Sequence, residues 1–278
     1  MRKIFGMIAI ASAIGLSSSA QGLKTPAPSP TTQVKQDFGM SSIEINYSRP
    51  AMKGRKIFGD VVPFGKVWRT GANSATTLQF GDAVTIGNVL IPAGKYGLLS
   101  IPDANTWTLI ITKQTNVTSP AAYVMDQDIV RVTVPVTAIS PALENFTIQL
   151  NNITANTCNL LIQWDKTQVA LPISTDIDTR IMADIDKGMQ SDKKPYFAAA
   201  VYYMENQKDL NKALEWFNVA CNESPKAYWV WYQKAVCLSK LGKKQDAIDI
   251  ATKAMELAKE GKNDDYVVLN QKLIKSLQ

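Results

Sequence analysis

The hydrophobic period of this chain changes once, near Ser174, and that change divides it into two differently built halves. Upstream, Ile43, Ile45 and Tyr47 alternate with Glu44, Asn46 and Ser48, and Val130, Val132, Val134 and Val136 alternate with Arg131, Thr133 and Pro135. A period of two turns one face of an extended strand toward a core. Apolar runs at 107–111, 146–150 and 160–164 supply further strands, separated by clusters of Pro, Gly, Asn and Asp. About ten short strands with no helical period between them imply an antiparallel β-sandwich of jelly-roll type. Pro135 cannot donate to a ladder, which places its strand at an edge or a bulge. The apolar runs 84–91 and 96–101 flank Pro92-Ala93-Gly94-Lys95 and are expected to pair with each other as a hairpin.

Downstream, Ile177, Ile181, Ile185 and Met189 recur every four residues behind Ser174, Thr175 and Asp176, a cap-forming start for a helix. The rest of the chain keeps the helical period and repeats. A shift of 34 residues superimposes Phe197 on Trp231, Val201 on Ala235, Ala213 on Ala247, Phe217 on Ala251 and Ala220 on Ala254. That period, with Ala at positions of close helix approach and Pro225 closing the first unit, resembles the tetratricopeptide repeat over about two units. The fold class is therefore α+β multidomain, an antiparallel β-sandwich followed by an all-α helical-repeat domain.

Before either half, Arg2 and Lys3 precede an apolar run from Ile4 to Leu16, then Ser17, Ser18, Ser19 and Ala20. This reads as a signal peptide, too short for a membrane span, so the mature chain has no transmembrane segment and is exported, periplasmic or secreted. Pro26, Pro28 and Pro30 favour an extended tether behind it. The expected boundaries are 1–20 for the signal peptide, 21–31 for the Pro-rich linker, 32–173 for the sandwich and 174–278 for the repeats. Loss of Arg2 and Lys3, the leader's only charged side chains, lowers the formal net charge from +6 to +4. With export, that mild excess speaks against nucleic acid as a partner. Export also lets cysteines pair, and Cys221 with Cys237 is the candidate disulfide, buried free thiols being the alternative.

The chain has no His at all. That removes Ser-His-Asp and Cys-His nucleophile systems and every His-containing metal site, and no metal ligand set or cofactor motif replaces them. The densest polar feature is the stretch from Tyr47 to Asn73, where Arg49, Lys53, Arg55, Lys56, Lys66 and Arg69 face Asp60 alone. Glycines at 54, 59, 65 and 71 let its loops bend so that cationic heads converge on a carboxylate, sulfate or phosphate. The candidate ligand-binding residues are Arg49, Lys53, Arg55, Lys66, Arg69 and Asn73. Arg69, Thr70 and Asn73 together would present a guanidinium, a hydroxyl and an amide from one tight loop, yet the same donors serve equally well to staple the loop to backbone carbonyls. No pair of acids among Glu44, Asp60 and Asp82 has a spacing suited to acid and base catalysis, so no catalytic residue is assigned. In the helical half, Tyr202, Trp229 and Tyr232 are candidates for a partner groove, or else pack between repeats.

Three segments of the β half, RPAMKGRKIFG at 49–59, VPFGKVWRTGAN at 62–73 and IPAGKYGLLSIP at 91–102, resemble the bacterial family known as domain of unknown function 2911. The resemblance covers about 30–173. It implies export and a β-rich fold and brings no activity with it. The sequence thus supports an exported, non-enzymatic protein acting in binding or assembly with a protein or envelope component. The competing readings are a cell-envelope hydrolase or transferase with its site around Arg55, Arg69 and Asn73, and a carrier of a small anionic ligand or glycan. Expressed in a bacterial host, the exported chain should have an intact mass beginning at Gln21; a chain recovered from the envelope with Met1 still attached would refute the signal peptide.

Overall fold

The computed structural model describes residues 25–278, so the segment read as a signal peptide and the first residues of the expected tether lie outside the described residues. The chain divides into two compact units between Thr175 and Asp176.

The first unit contains two antiparallel sheets. Strands β1 (Thr31–Phe38), β2 (Ser41–Ser48), β3 (Thr76–Phe80), β6 (Gly94–Ile101), β7 (Thr106–Thr112) and β8 (Asp128–Pro135) form one, in that order. Strands β5 (Val89–Ile91), β4 (Val84–Ile86), β10 (Thr157–Ser174) and β9 (Thr137–Asn151) form the other. Apolar positions of the strands supply the inner faces: Ile43, Ile45, Leu78, Leu98 and Leu109 from the larger sheet meet Ile86, Ile148, Leu160, Ile162 and Leu171 from the smaller in one buried cluster. Burial of this kind is the main force holding two sheets face to face. Strand β8 is an edge of the larger sheet and Pro135 is its last residue, as a residue without an N–H requires.

The expected pairing of 84–91 with 96–101 is wrong. The run 84–91 is itself a hairpin, with Val84 opposite Ile91 and Ile86 opposite Val89 across Gly87 and Asn88. Both turn residues have positive φ, +56° and +65°, the geometry that matches a two-residue turn to strand twist. Pro92 and Ala93 then carry the chain to the other sheet, where β6 lies between β3 and β7. The Tyr96 hydroxyl donates to the Pro92 carbonyl at 2.8 Å and ties down that crossing.

The second unit is helical throughout: α1 (Asp178–Gly188), α2 (Tyr196–Glu205), α3 (Leu210–Glu223), α4 (Tyr228–Lys240), α5 (Lys244–Glu260) and α6 (Asp264–Leu277). Asp176 accepts from the Asp178 and Thr179 amides and so caps α1, while Asp209 and Asn263 cap α3 and α6. Three of the five pairs superimposed by the 34-residue shift are buried at both members, Ala213 with Ala247, Phe217 with Ala251 and Ala220 with Ala254; in the other two Trp231 and Ala235 are buried while Phe197 and Val201 are half-buried. No helix among the described residues is long and apolar enough to cross a membrane.

The segment between β7 and β8 folds back so closely on β6 that a Cβ at Gly97 would stand 2.0 Å from the Gln114 carbonyl oxygen. Gly97→Ala must displace backbone rather than a flexible side chain. It should lower stability by about 1–3 kcal/mol in chemical denaturation followed by tryptophan emission; an unchanged midpoint would mean the segment is loosely held.

Candidate functional site

The cationic stretch falls in the long connection between β2 and β3, and backbone bonds tie that connection to both sheets. The Met52 amide donates to the Glu144 carbonyl of β9 at 2.8 Å, and Trp68 and Ser100 of β6 exchange amide-to-carbonyl bonds of 2.7 and 2.9 Å. Trp68 thereby enters the sandwich, stacked on Trp164 with ring centroids 6.1 Å apart and planes 17° from parallel, and edge-on to Phe146, Trp107 and Phe58. Arg69 follows it directly.

Beside this aromatic group lies a cleft of about 480 Å³, within the roughly 300–1,000 Å³ usual for small-molecule sites. Arg55, Lys66 and Arg69 line it, together with Trp68, Trp164 and Val62. Ser29 from the tether and Val117, Ser119 and Pro120 from the β7–β8 segment complete it. No Asp or Glu contributes to its lining.

The six candidate ligand residues are not brought to one place. Arg49 spends Nε on the Phe146 carbonyl at 3.1 Å and Nη2 on the Thr147 hydroxyl at 2.9 Å, which fastens the loop to β9. Asn73 donates its amide to the Ser29 carbonyl and to the Ser48 hydroxyl. Lys53 is exposed, and only its backbone amide is engaged, on the Glu144 carboxylate at 2.8 Å. Thr70 is buried, with its hydroxyl donating to that of Ser100 at 2.9 Å. Of the two readings of Arg69, Thr70 and Asn73, stapling of the loop therefore holds for Thr70 and Asn73, and the three do not form a cradle. Arg55 has both roles: it lines the cleft while its Nε and Nη2 hold the Met52 and Ala51 carbonyls.

Arg69 differs from the rest. Its Nη1 donates to the Thr118 carbonyl at 2.6 Å, whereas its Nε is buried with no hydrogen-bond partner. A buried donor left unmade costs about 1–3 kcal/mol, and more when the group is charged. Arg69 thus lines the cleft with its guanidinium held by one corner, and its charge, with those of Arg55 and Lys66, suits the cleft to an anion.

The nearest acids take no part. Glu44 pairs with Lys35 at 2.8 Å across β1 and β2, and that bond holds its carboxyl below the usual range; Asp60 is exposed and outside the cleft. Trp164 is buried in the core and Trp68 packs half-buried against it, and both also line the cleft, a dual position that no local sequence pattern marks.

In the helical unit the three candidate aromatics also separate. Tyr202 donates to the Asp178 carboxylate at 2.7 Å, and Lys208 takes the other oxygen at 2.7 Å. Desolvation, and then the bond to Asp178, pushes the Tyr202 hydroxyl up to about 12. Tyr232 packs edge-on against Tyr266 of α6, with centroids 5.7 Å apart. Trp229 is exposed and borders a shallow cleft with Pro195, Phe197 and Glu223, to which neither tyrosine contributes. The proposed disulfide is likewise not formed. Cys221 lies in a cluster with Ala254 and Trp231, Cys237 in another with Met204 and Phe217, and both are free thiols, as is Cys158. Burial pushes all three up to about 11.

A two-sheet sandwich carrying a cationic, tryptophan-walled cleft, joined to a six-helix unit, is the class of protein these observations define. The chain belongs to the family described as protein of unknown function (DUF2911), whose model matches residues 29–173. Every residue lining the cleft falls within that span. No curated protein and no solved structure matches the chain.

The thiols give a direct check on the helical packing. The native protein should take up no iodoacetamide at pH 8, and three equivalents after unfolding without reductant; a mass showing one alkylated thiol under those conditions would mean that two cysteines are paired.

Proposed function

We propose that this protein is an exported binding protein whose sandwich cleft holds a small anionic ligand without turning it over. The observation that carries this reading is Arg69, which lines the cleft with its guanidinium anchored through Nη1 alone. Two further cations, Arg55 and Lys66, border the same cleft and raise the local concentration of anions. A hydrolase or transferase acting there would need an acid or base beside the bound group. The cleft's cations have no carboxylate among them, and a permanently charged guanidinium serves as a poor proton shuttle. These features favour binding over turnover.

The helical unit, read as a short tetratricopeptide-like repeat, is the second working part, a docking module for a protein or envelope component. Its support is the 34-residue spacing of buried positions and the exposed Trp229 beside Phe197. The signal-peptide pattern at 1–20 and the Pro-rich tether support export.

Incubated with a mixed library of small organic anions and separated by gel filtration, the protein should carry one compound at close to one equivalent and release it unchanged on denaturation. Accumulation of an altered compound beyond one equivalent would establish turnover and overturn the reading.

A further inference from the structure

We infer that the loop from Lys53 to Lys66 docks the β unit on an anionic lipid surface. The loop has a fixed shape: the Val62 amide donates to the Ile57 carbonyl, the Gly59 amide to the Val62 carbonyl and the Gly65 amide to the Pro102 carbonyl, each at 2.9 Å. Ile57 and Val62 are buried and root the loop in the sandwich core. Val61 and Phe64, from the same short stretch, instead stand 40% exposed. The Phe64 ring lies against the loop itself, so close to Gly59 that a Cβ there would stand 2.9 Å from it, and the remainder of the ring faces water. The same loop carries four exposed cations, Lys53, Arg55, Lys56 and Lys66, against the single acid Asp60. None of the four takes part in an ion pair among the described residues. Val61, Pro63, Arg55 and Lys66 border one cleft, so apolar and cationic groups share a face.

An exposed valine or phenylalanine alone needs no explanation, but an apolar pair on a tied loop rich in unpaired cations fits one kind of partner best. A soluble polyanion would neutralise the cations and leave Val61 and Phe64 wet. A bilayer interface receives both groups: anionic headgroups meet the cations, and the acyl boundary just beneath them takes the apolar side chains. Long Lys and Arg side chains lay their stems along apolar surface while their heads stay at headgroup level. Because the backbone is already tied, docking has little of it to order and loses little entropy. Each basic residue near such a surface strengthens attachment about fivefold, and salt screens that attraction. The inference goes beyond the small-ligand reading, since Lys53, Lys56 and Phe64 are not among the residues lining the cleft.

The test is co-sedimentation of the purified protein with vesicles of phosphatidylglycerol and phosphatidylcholine in equal parts, and with vesicles of phosphatidylcholine alone. The protein should bind the mixed vesicles about tenfold or more tightly than the neutral ones, and should leave them as salt is raised. Lys53→Gln combined with Lys56→Gln, both outside the cleft, should weaken binding to the mixed vesicles about tenfold or more, and Phe64→Ser severalfold, with unchanged circular dichroism. Phe64→Cys carrying an environment-sensitive fluorophore, the native thiols being buried, should shift its emission to the blue on the mixed vesicles. Equal affinity for the two vesicles, binding to neither, or undiminished binding by either folded variant would overturn the inference. A label at position 64 that keeps its aqueous emission on vesicle-bound protein would overturn it as well. Tighter binding to soluble polyglutamate than to the mixed vesicles would overturn it in favour of a soluble polyanion. Should a variant fail to fold, the comparison of the two vesicles stands on the native protein. None of these outcomes decides the cleft's own ligand, which is tested with small soluble anions.

Discussion

The paired backbone bonds between Trp68 and Ser100 are the constraint on which the site depends. They turn one stretch of an otherwise irregular connection into a short strand-like contact with β6. A strand-like stretch alternates its side chains, and here Trp68 enters the aromatic group, Arg69 stays part-exposed at the cleft and Thr70 is buried against Ser100. The cation is thus placed by the same two hydrogen bonds that seat its neighbour in the core. Other bonds serve to keep that contact in place: Arg49 on Phe146, Asn73 on Ser29, and the Ala75 amide on the Val117 carbonyl. A loop as long as this one loses much conformational entropy on ordering, and distributed stapling to both sheets is what offsets it.

This explains why two of the six cations of the stretch, Arg49 and Arg55, spend their donors on backbone carbonyls. Positive residues in a Gly-rich connection have two outlets, a ligand or the unpaired carbonyls of the loop itself, and buried carbonyls demand partners. Arg49 and Arg55 satisfy such carbonyls. The sequence contains the donors but does not say which carbonyls they will meet, because one lies far off on Phe146 and the others, on Ala51 and Met52, come within reach only through the local turn. The cleft was hidden for a related reason. Its walls come from Ser29, from Trp68, from the segment at Val117 to Pro120 and from Trp164, stretches that no local pattern joins.

The division into a β half and an α half was plain in the change of period, and so were the strands around Ile43, Trp107, Val130, Phe146 and Leu160, because burial of one face writes a period of two into the residues. The hairpin at 84–101 shows where that legibility stops. Pro-Ala-Gly and Gly-Asn are both competent turns, and local chemistry favours neither strongly enough to decide which strands end up adjacent. The choice was made by sheet membership: β4 and β5 close on each other and β6 inserts between β3 and β7. Pro135 was read correctly because a missing N–H is a local fact with the same consequence in any topology.

The helical unit shows the complementary case. The 34-residue spacing located buried positions well, since small residues at a helix crossing are required wherever two helices approach closely, and Ala213, Ala247, Ala251 and Ala254 are fully enclosed. The same spacing said nothing about Cys221 and Cys237, which face different clusters although both are buried. Pairing is a matter of direction as well as of burial, and sixteen positions along two antiparallel-packed helices leave direction open. What burial does decide is reactivity: thiols pushed up to about 11 stay protonated near neutral pH and offer little thiolate for oxidation or exchange.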